Sequence, residues 1–223
     1  MSGAEAAAVG PSAGMGATRP PSWLHELGSR AARMPVPARL RPQGAHGRPS
    51  AVLILFGRTL DGHEDVLLIQ KEVGLRRHSG QPAFPGGAQE PEDGDAETCA
   101  LREATEETGL DPAGVQVLAL LPELYLPPSG FRITPVLAWW HTPSAVWPTD
   151  PREVAAVTRV PLAELVQHRV RVCHPDGLVG PGFQVRDMLV WGFTGMVLHR
   201  LLVLGAWVSE DLPEHTVSLP PVP

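Results

Sequence analysis

The chain has 223 residues, 43% of them hydrophobic, which is enough to build one globular domain with a proper core. Its 18 basic and 24 acidic residues give a net charge of −6, which excludes a general nucleic-acid-binding surface. Cys99 and Cys173 are too few and too far apart for a disulfide framework or a zinc motif.

Residues 1–20 are rich in Ala, Gly, Ser and Pro and lack the cationic start and apolar stretch of a secretory signal. A disordered tail and a cytoplasmic location are the expectation. Trp23, Leu24, Leu27 and Ala31 have helical spacing, so a short helix and a Pro/Arg/Gly linker (Pro35 to Pro49) are expected within residues 21–49. One domain is expected over 50–208, followed by a flexible tail over 209–223.

The apolar run Ala51–Phe56 predicts a buried strand, and the turn at Asp61-Gly62 makes Val66–Ile69 its hairpin partner. Residues 74–87, heavy in Gly and Pro, read as loop. A helix is predicted from Glu97 to Thr108, capped by Asp95 and ended by Gly109 in a left-handed conformation. Its apolar stripe of Leu101, Ala104 and Thr108 is expected to pack, leaving Glu103 and Glu107 on the opposite face.

Those two glutamates are one turn apart with Glu106 beside them, a spacing that costs a helix ~0.2–0.5 kcal/mol per like-charged pair. Such crowding suits a hard divalent cation; an isolated acidic stretch of this kind reads rather as a solvated helix face, and it is the surrounding motif that overturns that reading. Arg102 is one turn from Glu106 and can pair with it.

Further on, Val115–Leu121, Ile133–Trp140 and Val154–Val160 read as strands, and Pro161 opens a short helix with Leu162 and Leu165. Val170–Cys173 and Phe183–Val185 flank Asp176-Gly177 as a hairpin, and a long helix is expected near 187–204. His199 and Arg200 interrupt that apolar segment, and it falls short of the ~20 residues a membrane span needs. It reads as a core helix, with a homodimer interface as the alternative. The fold class expected is α/β, a mixed β-sheet sandwiched between α-helices.

Gly87, Asp93, Arg102, Glu103, Glu106, Glu107, Gly109 and Leu110 together resemble the Nudix box, the loop–helix signature of enzymes that cleave nucleoside diphosphates linked to another moiety. The half from Arg102 to Leu110 matches throughout. Upstream, Asp93 replaces the usual Glu, and eight residues rather than seven separate it from Arg102.

A second stretch narrows the resemblance. Leu67-Leu68, Lys71, Leu75-Arg76, His78, Gly80-Gln81 and Phe84-Pro85-Gly86-Gly87 are similar to the segment that marks coenzyme A pyrophosphatases within the Nudix family. Trp191-Gly192-Phe193-Thr194 resembles a later segment of the same subgroup, so the likeness spans roughly residues 50–205. Glu72 and Pro82 depart from the pattern in the part associated with substrate, and Pro82 removes a backbone donor.

This resemblance implies a Nudix fold and a water attack on one phosphorus of the diphosphate, with Mg²⁺ or Mn²⁺ as cofactor. It implies Glu103 and Glu107 as metal ligands, Glu106 as ligand or base, and the Gly87 carbonyl as a further oxygen. Arg102 is assigned to orienting Glu106, with a purely structural ion pair as the alternative. A base from a later loop is expected at Glu153, with Glu123 behind it. Tyr125, Ser129 and Phe131 are pocket candidates, although tyrosine and phenylalanine near strands are more often core. Arg76, Arg77 and His78 form a cationic cluster suited to the phosphates of a coenzyme A-like substrate, or simply a basic surface loop, with Gln81 beside them. The rival readings are a Nudix hydrolase of ADP-ribose or a dinucleotide, and a Nudix-fold protein that binds a nucleotide without cleaving it. Cys173-His174 has adjacency but no supporting thiol-enzyme motif.

Overall fold

The computed structural model describes residues 18–44, 47–72, 80–127, 129–175 and 177–219. Helix α1 (Ser22–Ala31) leads through a 3₁₀ turn (Ala38–Leu40) into strand β1 (Arg48–Arg58), and β2 (Glu64–Lys71) follows. The two short strands β3 (Pro82–Ala83) and β4 (Gly86–Ala88) precede helix α2 (Ala96–Thr108). Strands β5 (Val115–Leu120), β6 (Leu124–Leu126), β7 (Phe131–Trp140) and β8 (Val154–Pro161) complete the main sheet. Helix α3 (Leu162–Gln167), strands β9 (Arg169–Cys173), β10 (Val179–Val185) and β11 (Met188–Val190), helix α4 (Gly192–Leu204) and β12 (Thr216–Ser218) follow.

The main sheet runs β3-β2-β1-β7-β5, with β4 also on β1, β6 on β7 and β8 on β2. It is mixed: β1 and β7 are parallel, with Arg48 opposite Phe131, whereas β1 and β2 form the expected antiparallel hairpin, with Phe56 opposite Val66. A second sheet, β11-β10-β9-β12, contains the predicted hairpin of β9 and β10.

Because side chains alternate along a strand, β1 serves two cores at once. Ala51, Leu53 and Leu55 pack with Cys99, Ala100 and Ala104 of α2. Ile54 and Phe56 pack on the other side with Leu24 and Leu27 of α1 and Leu198, Leu201 and Leu202 of α4. A strand covered on both faces must read as a continuous apolar run, which is why Ala51–Phe56 does. The molecule is thus an α/β sandwich, a mixed sheet between helices.

Five expectations need correction. The tail expected over 209–223 is held to the domain, because Thr216–Ser218 pairs with β9 as a strand. The segment near 187–204 is not helical throughout: Met188–Val190 pairs with β10 as a strand, and the helix begins only at Gly192, after Trp191 in extended conformation. Its apolar residues Val197, Leu198, Leu201 and Leu202 are core. The loop expected over 74–87 contains strand pairing on both sides, and Pro82 sits at the start of an edge strand, where its missing donor costs least. The linker expected up to Pro49 ends earlier, because β1 already starts at Arg48. Finally, α2 buries Cys99, Ala100, Ala104, Glu107 and Thr108, so Glu107 belongs to the packed face, while Leu101 is only half-buried. Among the described residues no helix is long and apolar enough to cross a membrane.

Candidate active site

Helix α2 is placed by its ends. Asp95 accepts a hydrogen bond from the Thr98 N–H (2.8 Å), and Gly109 has φ 67° and donates to the Thr105 carbonyl, as read from the sequence. What the sequence did not disclose is a second clamp on the last turn. The Thr149 hydroxyl donates to the Glu106 carbonyl, the Thr149 N–H to that of Glu107 (3.3 Å), and the Trp147 N–H to that of Thr108 (3.0 Å). These bonds satisfy carbonyls that a helix end leaves without partners.

Strand β4 lies against the carboxylate side of α2. Gly86 is pressed onto β1, where a β-carbon would overlap the Ala51 carbonyl oxygen, and Gly87 leaves no room for one because the Glu103 carboxyl group fills that space. Glu107 is only 7% exposed. It accepts a hydrogen bond from the Gly86 N–H (2.9 Å) and forms an ion pair with Lys71 at the end of β2. Burial pushes the Glu107 carboxyl above the usual range, and the Lys71 ammonium opposes that shift. Burial likewise raises Glu103, opposed by Arg102. Glu106, with a side chain 60% exposed, reaches solvent. The box thus presents a graded set of carboxylates: one sealed against a strand, one wedged on a glycine, one open to water.

Arg102 does more than the expected pairing with Glu106. Its Nη1 donates to Glu106 (2.9 Å), Nη2 to Glu103 (3.0 Å) and the Ala88 carbonyl (3.1 Å), and Nε and Nη2 grip both oxygens of Asp93 (2.7 and 3.0 Å). Asp93 is itself buried, and the Arg102 hydrogen bonds hold its carboxyl at about 2. The shorter side chain and the extra residue of spacing are absorbed by a 3₁₀ turn over Pro91–Asp93, where Asp93 also accepts from the Glu90 N–H (2.7 Å). Planar guanidinium geometry allows this bidentate grip.

The remaining predicted residues fall into three groups. Arg76, Arg77 and His78 lie outside the described residues. The Gln81 carbonyl accepts from the Lys71 N–H (3.2 Å), which ties the predicted substrate stretch to the lysine that meets Glu107. Glu153 is exposed, and its carbonyl accepts from the Glu72 N–H (2.9 Å), so backbone pairing brings it to the Lys71 end of β2. Glu123 instead forms an ion pair with Arg132 (3.4 Å). Cys99 is buried with its thiol pushed up to about 11 by burial, so it is no nucleophile. His174 packs edge-on against Trp191 (5.1 Å between ring centres).

The carboxylates of α2 and the carbonyls of β4 are oxygen groups, the chemistry a hard divalent cation requires, although the Cys99 thiol also reaches the Gly87 carbonyl (3.8 Å). Glu103, seated on Gly87, Glu107 and the Gly87 carbonyl are the oxygens that could hold such an ion, with Glu106 within the same turn. As placed, Glu103 and Glu106 turn to Arg102 and Glu107 turns to Lys71, and among the described residues no three His, Cys, Asp or Glu side chains form a ready metal cluster. Cation binding therefore requires these carboxylates to exchange partners.

Comparison with known proteins agrees with this architecture. Residues 47–178 match the family described as NUDIX domain. The chain is 37% identical over 173 residues to a protein named Uncharacterized Nudix hydrolase NudL of Salmonella typhimurium, and equally to its counterpart in Salmonella typhi, covering 73% of this chain and 87% of theirs. It is similar in fold to a Nudix hydrolase from M. smegmatis, RenU, with a TM-score of 0.50 and 20% identity, over 75% of this chain and 90% of that one. A matching family model over more than half its length, and relatives of this identity, make the chain a member of the Nudix hydrolase family.

Proposed function

We propose that this protein is a metal-dependent hydrolase that cleaves the diphosphate of coenzyme A or its derivatives to 3′,5′-ADP and 4′-phosphopantetheine. The observation that carries the reading is the meeting of Glu103 and Glu107 on the Gly86–Gly87 strand. The stretch from Leu67 to Gly87, which leads into that strand, is the support for the coenzyme A substrate.

Glu103, Glu107 and the Gly87 carbonyl would hold Mg²⁺ or Mn²⁺, which would supply polarisation of the phosphate oxygens and a water of lowered pKa. Arg102 fixes the rotamers of Glu103 and Glu106, with Asp93 and the Ala88 carbonyl anchoring its far side. Glu106, the open carboxylate, takes the proton of the attacking water as general base, or joins the metal ligands. Glu153, delivered to the same end of β2, is the candidate base outside the box. Lys71 opposes the effect of burial on the Glu107 carboxyl. Arg76, Arg77, His78 and Gln81 are assigned to the substrate. Water oxygen joins one phosphorus, the bridging P–O bond breaks, and the departing phosphate takes the electron pair.

Mass spectrometry of the products after incubation with coenzyme A and Mn²⁺ tests this. The pair 3′,5′-ADP and 4′-phosphopantetheine is the expected result. Faster cleavage of ADP-ribose than of coenzyme A would overturn the substrate assignment.

A further inference from the structure

Away from the carboxylates, a cleft of about 260 Å³ is lined by Arg39, Arg41, Gln43, Tyr125 and Pro127. Its wall is the stretch that reads as linker in the sequence. The 3₁₀ turn over Ala38–Leu40 is pinned by Leu40, which is buried in the main core, so the arginines on either side of Leu40 are carried by an anchored backbone. Arg41 is tied further: its Nε donates to the Val36 carbonyl (3.0 Å), which leaves its two outer nitrogens for another partner.

Neither Arg39 nor Arg41 forms an ion pair with a carboxylate among the described residues. Glu123, two residues before Tyr125, is engaged by Arg132. In a chain of net charge −6, two arginines on one cleft wall with no carboxylate partner among the described residues make a local positive field that attracts anions. Guanidinium groups match the oxygens of a phosphate, and the Tyr125 ring beside them offers a flat apolar wall.

Sheet register relates this cleft to the carboxylates. Tyr125 on β6 is opposite Arg132 on β7, Arg132 is opposite Pro49 on β1, and the Pro49 carbonyl accepts from the N–H of Gln89, two residues past Gly87. Three strand spacings of about 4.8 Å put Tyr125 roughly 14 Å across the sheet from Gln89, a separation that one extended nucleotide derivative can bridge.

We infer that Arg39 and Arg41 form a subsite for a phosphate monoester on the same molecule whose diphosphate meets Glu103 and Glu107. This rests on the hydrolase reading above and sharpens it. The subsite selects substrates that carry a phosphate outside the scissile diphosphate, and Tyr125 covers the neighbouring ring.

The test is calorimetric binding of adenosine 3′,5′-bisphosphate against adenosine 5′-monophosphate to the full chain and to its Arg39→Gln and Arg41→Gln variants. The wild type is expected to prefer the bisphosphate, and each variant to lose roughly tenfold of that preference while binding the monophosphate as before. Among the described residues Arg39 donates to no backbone carbonyl, so Arg39→Gln decides the matter if Arg41→Gln, which gives up the Val36 contact, is misfolded by circular dichroism. Equal affinity for the two ligands, no measurable binding of either, or a preference that survives both substitutions overturns the assignment. Binding is read without turnover, so a chain that fails to cleave coenzyme A yet shows this pattern refutes the hydrolase reading and keeps the subsite. Conversely, in a chain that does cleave coenzyme A, the ratio of kcat/KM for coenzyme A over dephospho-coenzyme A should fall in both variants.

Discussion

The carboxyl group of Glu103 occupies the space that a side chain on Gly87 would take. The two neighbouring glycines are therefore needed for different reasons. At Gly87 the obstacle is the far end of a flexible side chain, whereas at Gly86 it is the Ala51 carbonyl oxygen and the Val52 backbone. Gly87→Ala is expected to push Glu103 aside and leave the fold in place, with stability lowered by less than about 1 kcal/mol and turnover lowered roughly a hundredfold. Gly86→Ala is expected to cost about 1–3 kcal/mol or more, because backbone must yield. Urea denaturation beside steady-state kinetics separates the two. Equal loss of stability in both would mean that the Gly87 contact is not special to Glu103.

Glu107→Gln keeps the size of the side chain and can still accept from Gly86, but it removes the charge that Lys71 faces. A sealed ion pair broken on one side costs about 3–5 kcal/mol; Lys71 is 24% exposed and can turn to water, so about 1–2 is expected here. The loss of a charged metal holder should remove several kcal/mol of transition-state stabilisation, roughly a thousandfold in rate. Unchanged circular dichroism together with an unchanged rate would end the assignment of Glu107 to the metal.

Acid stability should report the Asp93–Arg102 anchor. Asp93 titrates at about 2 in the folded protein against an ordinary value of 3.8, because Arg102 hydrogen-bonds its ionised form. A carboxyl lowered by folding contributes stability that is complete above the ordinary value and fades as pH falls through the folded one. The wild type should therefore lose part of its advantage over Asp93→Asn between about pH 4 and pH 2. Denaturation midpoints of the two proteins across that window give the comparison, and curves that stay parallel contradict the anchor. Asp93→Asn should also lower turnover, since Arg102 then holds Glu103 and Glu106 without its own buried counter-charge.

A purely structural pair offers a contrast. Asp65 on β2 is 1% exposed and is met by Arg159 on β8, at 2.8 Å between Nε and Oδ2, with the guanidinium 4.9 Å from the Trp140 ring. Burial pushes the Asp65 carboxyl up, and Arg159 opposes that shift. Arg159→Ala strands the carboxylate and should cost about 3–5 kcal/mol without changing kcat in the protein that remains folded. A loss of kcat at full stability would place this pair in the site after all.

These contrasts show what the sequence could and could not disclose. The caps of α2 were legible because Asp95 and Gly109 act on backbone within their own helix turn. The β1–β2 hairpin was legible because Asp61-Gly62 separates two short apolar runs. Glu107 was misplaced on the exposed face because its hydropathy is that of a charge. Its partners, Lys71 and the Gly86 N–H, lie 36 and 21 residues away along the chain and leave no periodic trace. The same distance hid the Thr149 clamp and made residues 35–44 look like a mere linker. The start of α4 was missed because Met188–Val190 is as apolar as the helix that follows, and only its pairing with β10 distinguishes it.

Metal binding can be followed without turnover. Glu107 is held by Lys71 and Glu103 by Arg102, so a cation held by these carboxylates would compete with ammonium and guanidinium contacts. A ligand that binds only the folded state at a hundred times its Kd adds about 2.7 kcal/mol, which for a chain of this size raises Tm by about 5–10 °C. Mn²⁺ should produce a shift of that order, EDTA should reverse it, and the Glu103→Gln, Glu107→Gln double variant should show none. Lys71→Met sharpens the argument, because it leaves Glu107 buried with no cation until metal arrives. Its metal-free Tm should fall, and its Mn²⁺ shift should exceed that of the wild type. If the shift is instead unchanged in Lys71→Met and persists in the double variant, Mn²⁺ binds elsewhere on the molecule and these carboxylates are not its holders.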